Sequence, residues 1–223
     1  MTQIVNDTFT DTAGTNLTAH TPDSGGTWSK WGAHASNIVI QANGTQARLG
    51  STGQAFYKHS ATPADQDVAI TGILDYFHGH AGTNWTGGLC VRMQSGADSC
   101  YYVDYENNGS STMRFRLIKR SAGSQSTLGT FNDTWGSGTR TVTLTVTGTT
   151  TTHLVVNIGG TDRITVDDST SPISTAGAVG IGGNSGTVGD AAGIQWQSVT
   201  ATDTSSGGGG FQAAWARGSN ILL

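Results

Sequence analysis

The sequence predicts an all-β protein, built as a two-layer antiparallel sandwich and followed by a flexible C-terminal tail. Three observations lead to this prediction. Apolar and polar residues alternate over several short segments, as they do on strands with one buried face. The 33 glycines far outnumber the 3 prolines, which indicates many turns. Before the tail, no stretch of a dozen residues has helical periodicity, and short, regularly spaced strands are typical of sandwiches.

Several segments show the two-residue period of a strand, and clusters of Gly, Asn and Ser separate them. These segments are 36–41, 67–74, 113–120, 141–147 and 153–158. In 141–147, Val142, Leu144 and Val146 point to one face and the threonines to the other. In 113–120, Phe115 and Leu117 share one face, and the neighbouring arginines lie on the opposite one.

The two cysteines, Cys90 and Cys100, lie in segment 89–103, which predicts a hairpin with its turn at 95–98. Their thiols could then face each other across the two strands. Two interpretations stay open, a disulfide or two small half-buried residues. Synthesis in a reducing cytosol disfavours the disulfide.

Composition and charge exclude some partners. Charged residues make up 12% of the chain, the formal net charge is −4, and there is no basic run. Nucleic acid is therefore excluded, because phosphate binding needs clustered Lys and Arg. The first residues lack the basic start and apolar core of a signal peptide, and no apolar run approaches the ~20 residues that span a bilayer. We expect synthesis in the host cytoplasm and no insertion into a membrane.

The order of these segments also resembles a known superfamily. The run VNIGGTDRITVDDSTSPISTAGAVGI (156–181) resembles the hairpin of the concanavalin A-like lectin/glucanase superfamily, the laminin-G-like jelly rolls. GLCVR (88–92) and YYVDY (101–105) resemble its central strands. The resemblance covers roughly residues 4–203 and implies a jelly-roll domain over 1–204. It says less about function, because such folds carry many unrelated activities.

The superfamily includes glucanases, so the resemblance makes an enzyme one hypothesis to test. A retaining glycosidase needs two carboxyl groups ~5–5.5 Å apart, which on a strand means residues of one face. No Glu-x-Asp-x-x-Glu motif occurs, and the nearest pair is Asp104 and Glu106. They share a face only if the strand reaches residue 106, and Asn107, Asn108 and Gly109 predict a turn there. We therefore predict no catalytic residues, and a protein that is not an enzyme.

A glycan site would need an aromatic platform and a few fixed polar groups. Five aromatic residues near predicted loops or strand ends are candidates: Trp85, Tyr101, Tyr102, Tyr105 and Trp135. Alternation places Tyr101 and Tyr105 on one face and Tyr102 on the other, so at least some of them pack in the core. Trp28, Trp31 and Trp196 are expected to fill the core or the sheet edges.

No cofactor or metal site is predicted. His78 and His80 have a spacing that could bind a metal. No nearby Cys completes the set and Asp75 could, but two exposed loop residues explain the pair better. Asp167 and Asp168 could supply oxygen ligands to calcium, an ion that the resemblance to laminin-G-like domains implies. No second ligand strand can be identified, so a turn at these two residues is the alternative interpretation.

The end of the sequence differs in character from the rest. Residues 205–210 form a Gly/Ser linker, and 211–223 form a predicted anchoring segment. Its partner-binding residues would be Phe211, Trp215, Ile221, Leu222 and Leu223. Short apolar tails of the form AWA-x-GSN-x-x-L look like those at the ends of tailed-phage structural proteins.

Three interpretations of this segment compete: docking on another protein or a sister copy, a disordered remnant, and packing onto its own domain. Ordering its 13 residues costs about 1–2 kcal/mol each in backbone entropy. Phe211 and Trp215 would remove only ~150–250 Å² each from water, so the three C-terminal aliphatic residues must be buried as well. Left exposed, these side chains would promote aggregation, which favours docking.

Together these observations predict a non-enzymatic structural component of a tailed-phage virion, either a capsid decoration or a tail-associated protein. Its lectin-like domain would be displayed on the particle and able to bind surface glycans. The segment 211–223 would join it to other virion proteins or to sister subunits in a homo-oligomer. The alternatives are a free carbohydrate-binding or glycan-hydrolysing module and a bacterial adhesion module.

Overall fold

Two antiparallel β-sheets form the part of the chain that the computed structural model describes, which is residues 1–34, 36–63, 66–77, 86–107, 113–134, 138–185 and 193–204. The strands are β1 (Thr2–Asp7), β2 (Trp28–Lys30), β3 (Ile38–Ile40), β4 (Ala47–Leu49), β5 (Gly53–His59), β6 (Val68–Phe77), β7 (Thr86–Gln94), β8 (Ser99–Asn107), β9 (Met113–Ser121), β10 (Ser124–Asp133), β11 (Gly138–Thr147), β12 (Thr152–Ile158), β13 (Thr161–Asp168), β14 (Ala178–Ser185) and β15 (Gly193–Asp203). The all-β prediction is confirmed. These residues include no helix that is long and apolar enough to cross a membrane.

The first sheet has the strand order β13-β12-β11-β6-β15-β4-β3, and β1 also pairs with β15. The second sheet has the order β10-β9-β8-β7-β14-β5-β2. Apolar side chains from the inner faces of both sheets form one core. Val142, Leu144 and Val146 are fully buried in it, as their alternation predicts. The predicted antiparallel sandwich is therefore confirmed.

The hairpin predicted around the two cysteines is the β7–β8 pair. Cys90 and Cys100 are free thiols and are fully buried rather than half-buried. Burial raises the pKa of the Cys90 thiol, and the neighbouring Cys100 adds to this rise. The sequence does not mark β10 as a strand, because residues on both of its faces are largely exposed at the edge of the second sheet.

A fully buried arginine ties the connections at one end of the sandwich. Arg92 has a φ of +51°, and the register of β7 and β8 shifts beside it. Its Nε donates to the Gln66 carbonyl at 2.9 Å, and its Nη1 donates to Thr152 Oγ1 at 3.0 Å and to the Ile173 carbonyl at 2.6 Å. Its Nη2 donates to the Gly148 carbonyl at 2.7 Å. These bonds satisfy a buried charge with acceptors from one strand of the first sheet and from three connecting segments.

A second polar cluster fixes β1 and the segment that follows it. His20 Nε2 lies 2.9 Å from Asp7 Oδ1, and its Nδ1 lies 3.0 Å from Asp11 Oδ2. The fully buried Asp7 also accepts hydrogen bonds from the Trp28 indole at 2.6 Å and the Phe9 amide at 2.8 Å. Burial opposes charge on the imidazole, but the bonds to the two carboxylates outweigh it, so the pKa of His20 is raised.

This cluster makes folding stability depend on pH. The charged form of His20 stabilises the fold fully below the unfolded pKa of about 6.5, and that contribution is lost as pH rises through the higher folded value. We expect the free energy of unfolding, measured in urea, to be larger for the unmodified protein than for His20→Gln at pH 6. This difference should shrink as the pH rises towards 8.5. A difference that stays constant over this range would contradict the role of His20.

Candidate functional site

The candidate site lies on the outer face of the second sheet, the face turned away from the sandwich core. β8 supplies side chains to both faces, because successive residues of a strand alternate. Tyr101, Val103 and Tyr105 point into the core and are at most 1% exposed. Tyr102 and Asp104 point to the outer face, together with Glu106.

Glu106 belongs to this face because β8 continues through Asn107. The prediction of a turn at residue 106 is therefore wrong. Glu106 is paired on both sides, opposite Thr86 of β7 and Arg114 of β9. Hydrogen bonding to two neighbouring strands holds this stretch extended, against the turn preference of the Asn-rich sequence that follows.

The two carboxylates of β8 are held by two arginines of β9. Arg116 donates from Nε to Asp104 Oδ1 at 3.0 Å and from Nη2 to Asp104 Oδ2 at 2.7 Å. Its Nη1 lies 3.1 Å from Glu106 Oε2, and Arg114 bonds to Glu106 Oε1. Burial raises the pKa of Asp104 above its usual value, and the bonds from Arg116 oppose this rise. Two negative and two positive charges thus balance within one network.

An aromatic and sulfur-containing cluster covers the adjoining part of the outer face. We call it the outer cluster; it consists of Trp31, Phe56, Cys90, Met93, Cys100, Tyr102, Ile118 and Ala178. The Phe56 ring lies at its centre, 5.6 Å from the Tyr102 ring and 5.9 Å from the Trp31 ring. Arg120 lies over Phe56 at 5.8 Å and donates two hydrogen bonds to Asp98, which lowers the pKa of that carboxyl.

Between this cluster and the ion pairs lies a small pocket with a glycine floor. The strand register places Phe56, Gly182, Gly88, Asp104 and Arg116 in one row across β5, β14, β7, β8 and β9. The pocket has a volume of about 90 Å³. It is lined by Gln54, Phe56, Tyr102, Asp104, Arg116, Gln125, Gly182, Gly183 and Asn184.

The two glycines in this row have no room for a side chain. A Cβ on Gly182 would lie 2.2 Å from Cδ1 of Phe56, whose ring covers this position. A Cβ on Gly88 would lie 1.7 Å from the Val103 carbonyl oxygen. The absence of a side chain on Gly182 leaves room for the Phe56 ring, and both residues line the pocket.

Comparison with known proteins addresses the fold. No family model and no curated protein sequence matches the chain. Among solved structures, the β-glucanase of Bacillus licheniformis matches with a TM-score of 0.54 and 10% identity, covering 91% of this chain and 98% of that one. A glycosyl hydrolase family protein from Mycobacterium fortuitum gives the same TM-score and identity, over 91% and 100%. A legume lectin-like domain from Entamoeba histolytica has a TM-score of 0.50 and 7% identity, over 79% and 89%.

The chain has a concanavalin A-like jelly-roll fold. The expectation that the sequence resemblance raised is thus confirmed for the fold. Structures similar to this jelly roll include both glycosyl hydrolases and a lectin-like domain. Since one fold can serve both hydrolysis and binding, the chemistry has to be argued from the residues of the site.

The jelly roll separates the three tyrosines that the sequence nominates for glycan binding. Tyr101 and Tyr105 lie in the core, which removes them from the candidate set. The Tyr101 hydroxyl donates to Asp168 Oδ2 at 2.6 Å, and that of Tyr105 donates to the Asp75 carbonyl at 3.1 Å. Tyr102 lines the pocket. Burial raises the pKa of its phenol, so the hydroxyl keeps its proton and can donate.

The remaining nominated residues are placed as follows. Trp28 and Trp196 are buried in the core of the jelly roll and Trp31 in the outer cluster, as predicted. The others lie outside the described residues: His78, His80, Trp85, Trp135, Phe211, Trp215, Ile221, Leu222 and Leu223. Sequence reasoning missed Gln54, Asn184 and Arg116 as pocket residues, because only the strand register brings them together.

The two aspartates considered for calcium point to opposite faces of β13 and have other partners. Asp168 is buried, pairs with Lys119 Nζ at 2.7 Å and accepts a hydrogen bond from Tyr101. Asp167 is exposed and lies 2.6 Å from His153 Nδ1. In the part of the chain that the structure describes, no three His, Cys, Asp or Glu side chains are grouped as metal ligands.

The ion pairs that line the pocket are expected to stabilise the fold. Arg116→Gln leaves Asp104, which is 3% exposed, without its charged partner, and breaking such a pair costs about 3 kcal/mol or more. The control Arg140→Gln breaks the ion pair between Arg140 and Asp133, whose side chains are 33% and 23% exposed, respectively. An ion pair with this exposure contributes about 0–1 kcal/mol to stability. Urea unfolding measures both. Equal losses for the two variants would show that the Asp104 pair has no special weight.

Proposed function

We propose that this protein is a non-enzymatic glycan-binding domain, carried on a tailed-phage virion and attached there through residues 211–223. The observation that supports glycan binding best is the glycine-floored pocket with its fixed polar wall. Binding sites for small polar ligands combine an apolar surface with a few oriented hydrogen-bonding groups. The pocket has both, since Phe56 and Tyr102 supply rings, and amide and charged groups complete the lining.

The polar groups suit hydroxyl groups of an uncharged sugar. A sugar hydroxyl both donates and accepts, and the side-chain amides of Gln54 and Asn184 do the same. Asp104 adds acceptors and Arg116 adds donors, and their charges cancel. A neutral sugar therefore fits this pocket better than an acidic one, which would leave one charge without a partner.

The same ion pairs argue against hydrolysis. A retaining mechanism needs one free carboxylate as nucleophile and one protonated carboxylic acid. In this pocket both oxygens of Asp104 accept hydrogen bonds from Arg116, which also pairs with Glu106. Burial moves the pKa of Asp104 in the direction a general acid needs, but its oxygens already serve the guanidinium. The arrangement supports binding without bond cleavage.

Glycan binding can be tested with an array of neutral and acidic glycans followed by calorimetry. We expect a neutral glycan to bind, and Gln54→Ala and Asn184→Ala each to weaken binding about 3–10-fold through loss of a hydrogen bond. Asn157→Ala is the matched control, because it deletes a side-chain amide on the outer face of the first sheet, away from the pocket. This variant should bind the glycan normally. No reducing sugar should be released. The proposal would be refuted if the protein releases reducing sugar and Glu106→Gln abolishes this release. It would also be refuted if no glycan on the array binds.

Attachment through 211–223 is supported by the surface of the described residues. Only two large hydrophobic side chains are exposed there, Met1 at 94% and Ile73 at 37%. The described surface thus presents few strongly exposed apolar side chains that could receive Phe211, Trp215 and the aliphatic residues that follow. This supports docking on another virion protein or on a sister subunit over packing of the segment onto its own domain.

The virion role predicts that the aromatic side chains of the segment are needed for attachment. Phe211→Ser with Trp215→Ser in the full chain should abolish its recovery with purified particles, because the apolar area of both aromatic rings is lost and the remaining aliphatic residues cannot hold the segment alone. Glycan binding in solution should stay unchanged. Normal recovery of the double variant with particles would contradict the anchor. Absence of the unmodified protein from particles would favour a free carbohydrate-binding module.

A further inference from the structure

A second cavity lies where the edges of the two sheets approach each other, away from the glycine-floored pocket. It has a volume of about 450 Å³. The end of β10, the start of β11 and the β12–β13 turn surround it, and its lining includes Asp133, Thr139, Arg140, Thr141 and Arg163. Two of these residues are arginines, so the charge in this cavity differs from that of the balanced pocket.

An aromatic ring orients Arg163 in this cavity. Its guanidinium lies over the Phe131 ring at 4.8 Å from the ring centre. Stacking on an aromatic face orients the planar group and leaves its N–H edge available. No carboxylate among the described residues lies within ion-pair distance of it. The neighbouring Asp162 instead accepts a hydrogen bond from the Asn157 amide at 2.8 Å.

Arg140 provides the second positive charge of the cavity. Its Nε donates to Asp133 Oδ2 at 3.3 Å, and its Nη1 donates to the Thr139 carbonyl at 3.2 Å. The cavity thus contains two guanidinium groups and one carboxylate, a net charge of +1. The Thr139 and Thr141 side chains add hydroxyl groups to the same wall.

We propose that this cavity binds an anionic group of a glycan, a carboxylate or a sulfate, with Arg163 as its main ligand. Both groups present paired oxygens that match the N–H edge of a guanidinium. The chain as a whole carries a net charge of −4, so at long range it repels a polyanion. Binding of an acidic glycan would therefore come from a local site. This inference concerns a different site and does not rest on the proposed function of the pocket.

The experiment uses the full chain and three probes: tetragalacturonate for carboxylates, sulfated maltotetraose for sulfates, and maltotetraose as the uncharged reference. Calorimetry should show that at least one charged probe binds and that added salt weakens it. Arg163→Gln should weaken this binding about tenfold or more. Arg48→Gln removes the same charge on β4 and is the matched control. Asn184→Ala tests whether the glycine-floored pocket is involved.

The outcomes are distinct. Binding of tetragalacturonate alone assigns the site to uronate-type glycans, and binding of the sulfated probe alone assigns it to sulfated glycans. Binding of either probe, or of both, supports the proposal if Arg163→Gln weakens that binding and the other variants do not. The proposal is wrong if neither charged probe binds, if Arg163→Gln binds like the unmodified protein, or if Arg48→Gln weakens binding equally. Loss of binding in Asn184→Ala would also overturn it, since the probe would then occupy the pocket.

Discussion

The central strands of the second sheet are buried on both faces, and the outer-face site depends on this constraint. Their inner faces meet the first sheet in the core, as any sandwich requires. Their outer faces are also removed from water, with Asp104 and Glu106 of β8 3% and 7% exposed. A charge in that position is tolerated only when it is paired. The opposing arginines of β9 therefore stabilise this strand by pairing its buried carboxylates.

The same constraint determines the chemistry of the pocket. Every buried charge beside the pocket is paired. The pocket can therefore donate and accept hydrogen bonds without carrying a net charge. Because β14 contributes Gly182 and Gly183 to the pocket lining, the paired groups stand beside a depression rather than on a flat sheet. Packing needs and binding capacity thus come from one set of residues, which is why substitutions here affect both stability and affinity.

Much of the fold could be read from the sequence, and much of the site could not. The alternation around Val142 and around Phe115 predicts strands with the correct buried face, because that pattern is local. The extent of β8 is not local. Asn107 and the residues after it favour a turn, yet pairing with two strands keeps Glu106 extended. Nothing in the sequence near Asp104 indicates that Arg116 lies opposite it.

The tyrosines illustrate a related limit. Alternation separates Tyr101 and Tyr105 from Tyr102, but it does not say which set faces the core. That choice follows from the strands on either side and from hydroxyl partners far along the chain, such as Asp168. Gln54 and Asn184 escape sequence analysis for the same reason, because amides on separate strands become a site only through register.

The two cavities differ because burial acts differently at the centre and at the edge of a sandwich. At the centre, an unpaired guanidinium would pay a desolvation cost of several kcal/mol, so Arg116 has carboxylate partners. At the edge, Arg163 stays hydrated, and an aromatic ring is enough to orient it. A hydrated, oriented guanidinium can exchange water for an anion at little cost. The position of each arginine in the fold therefore argues for a neutral ligand in the pocket and an anionic one at the edge.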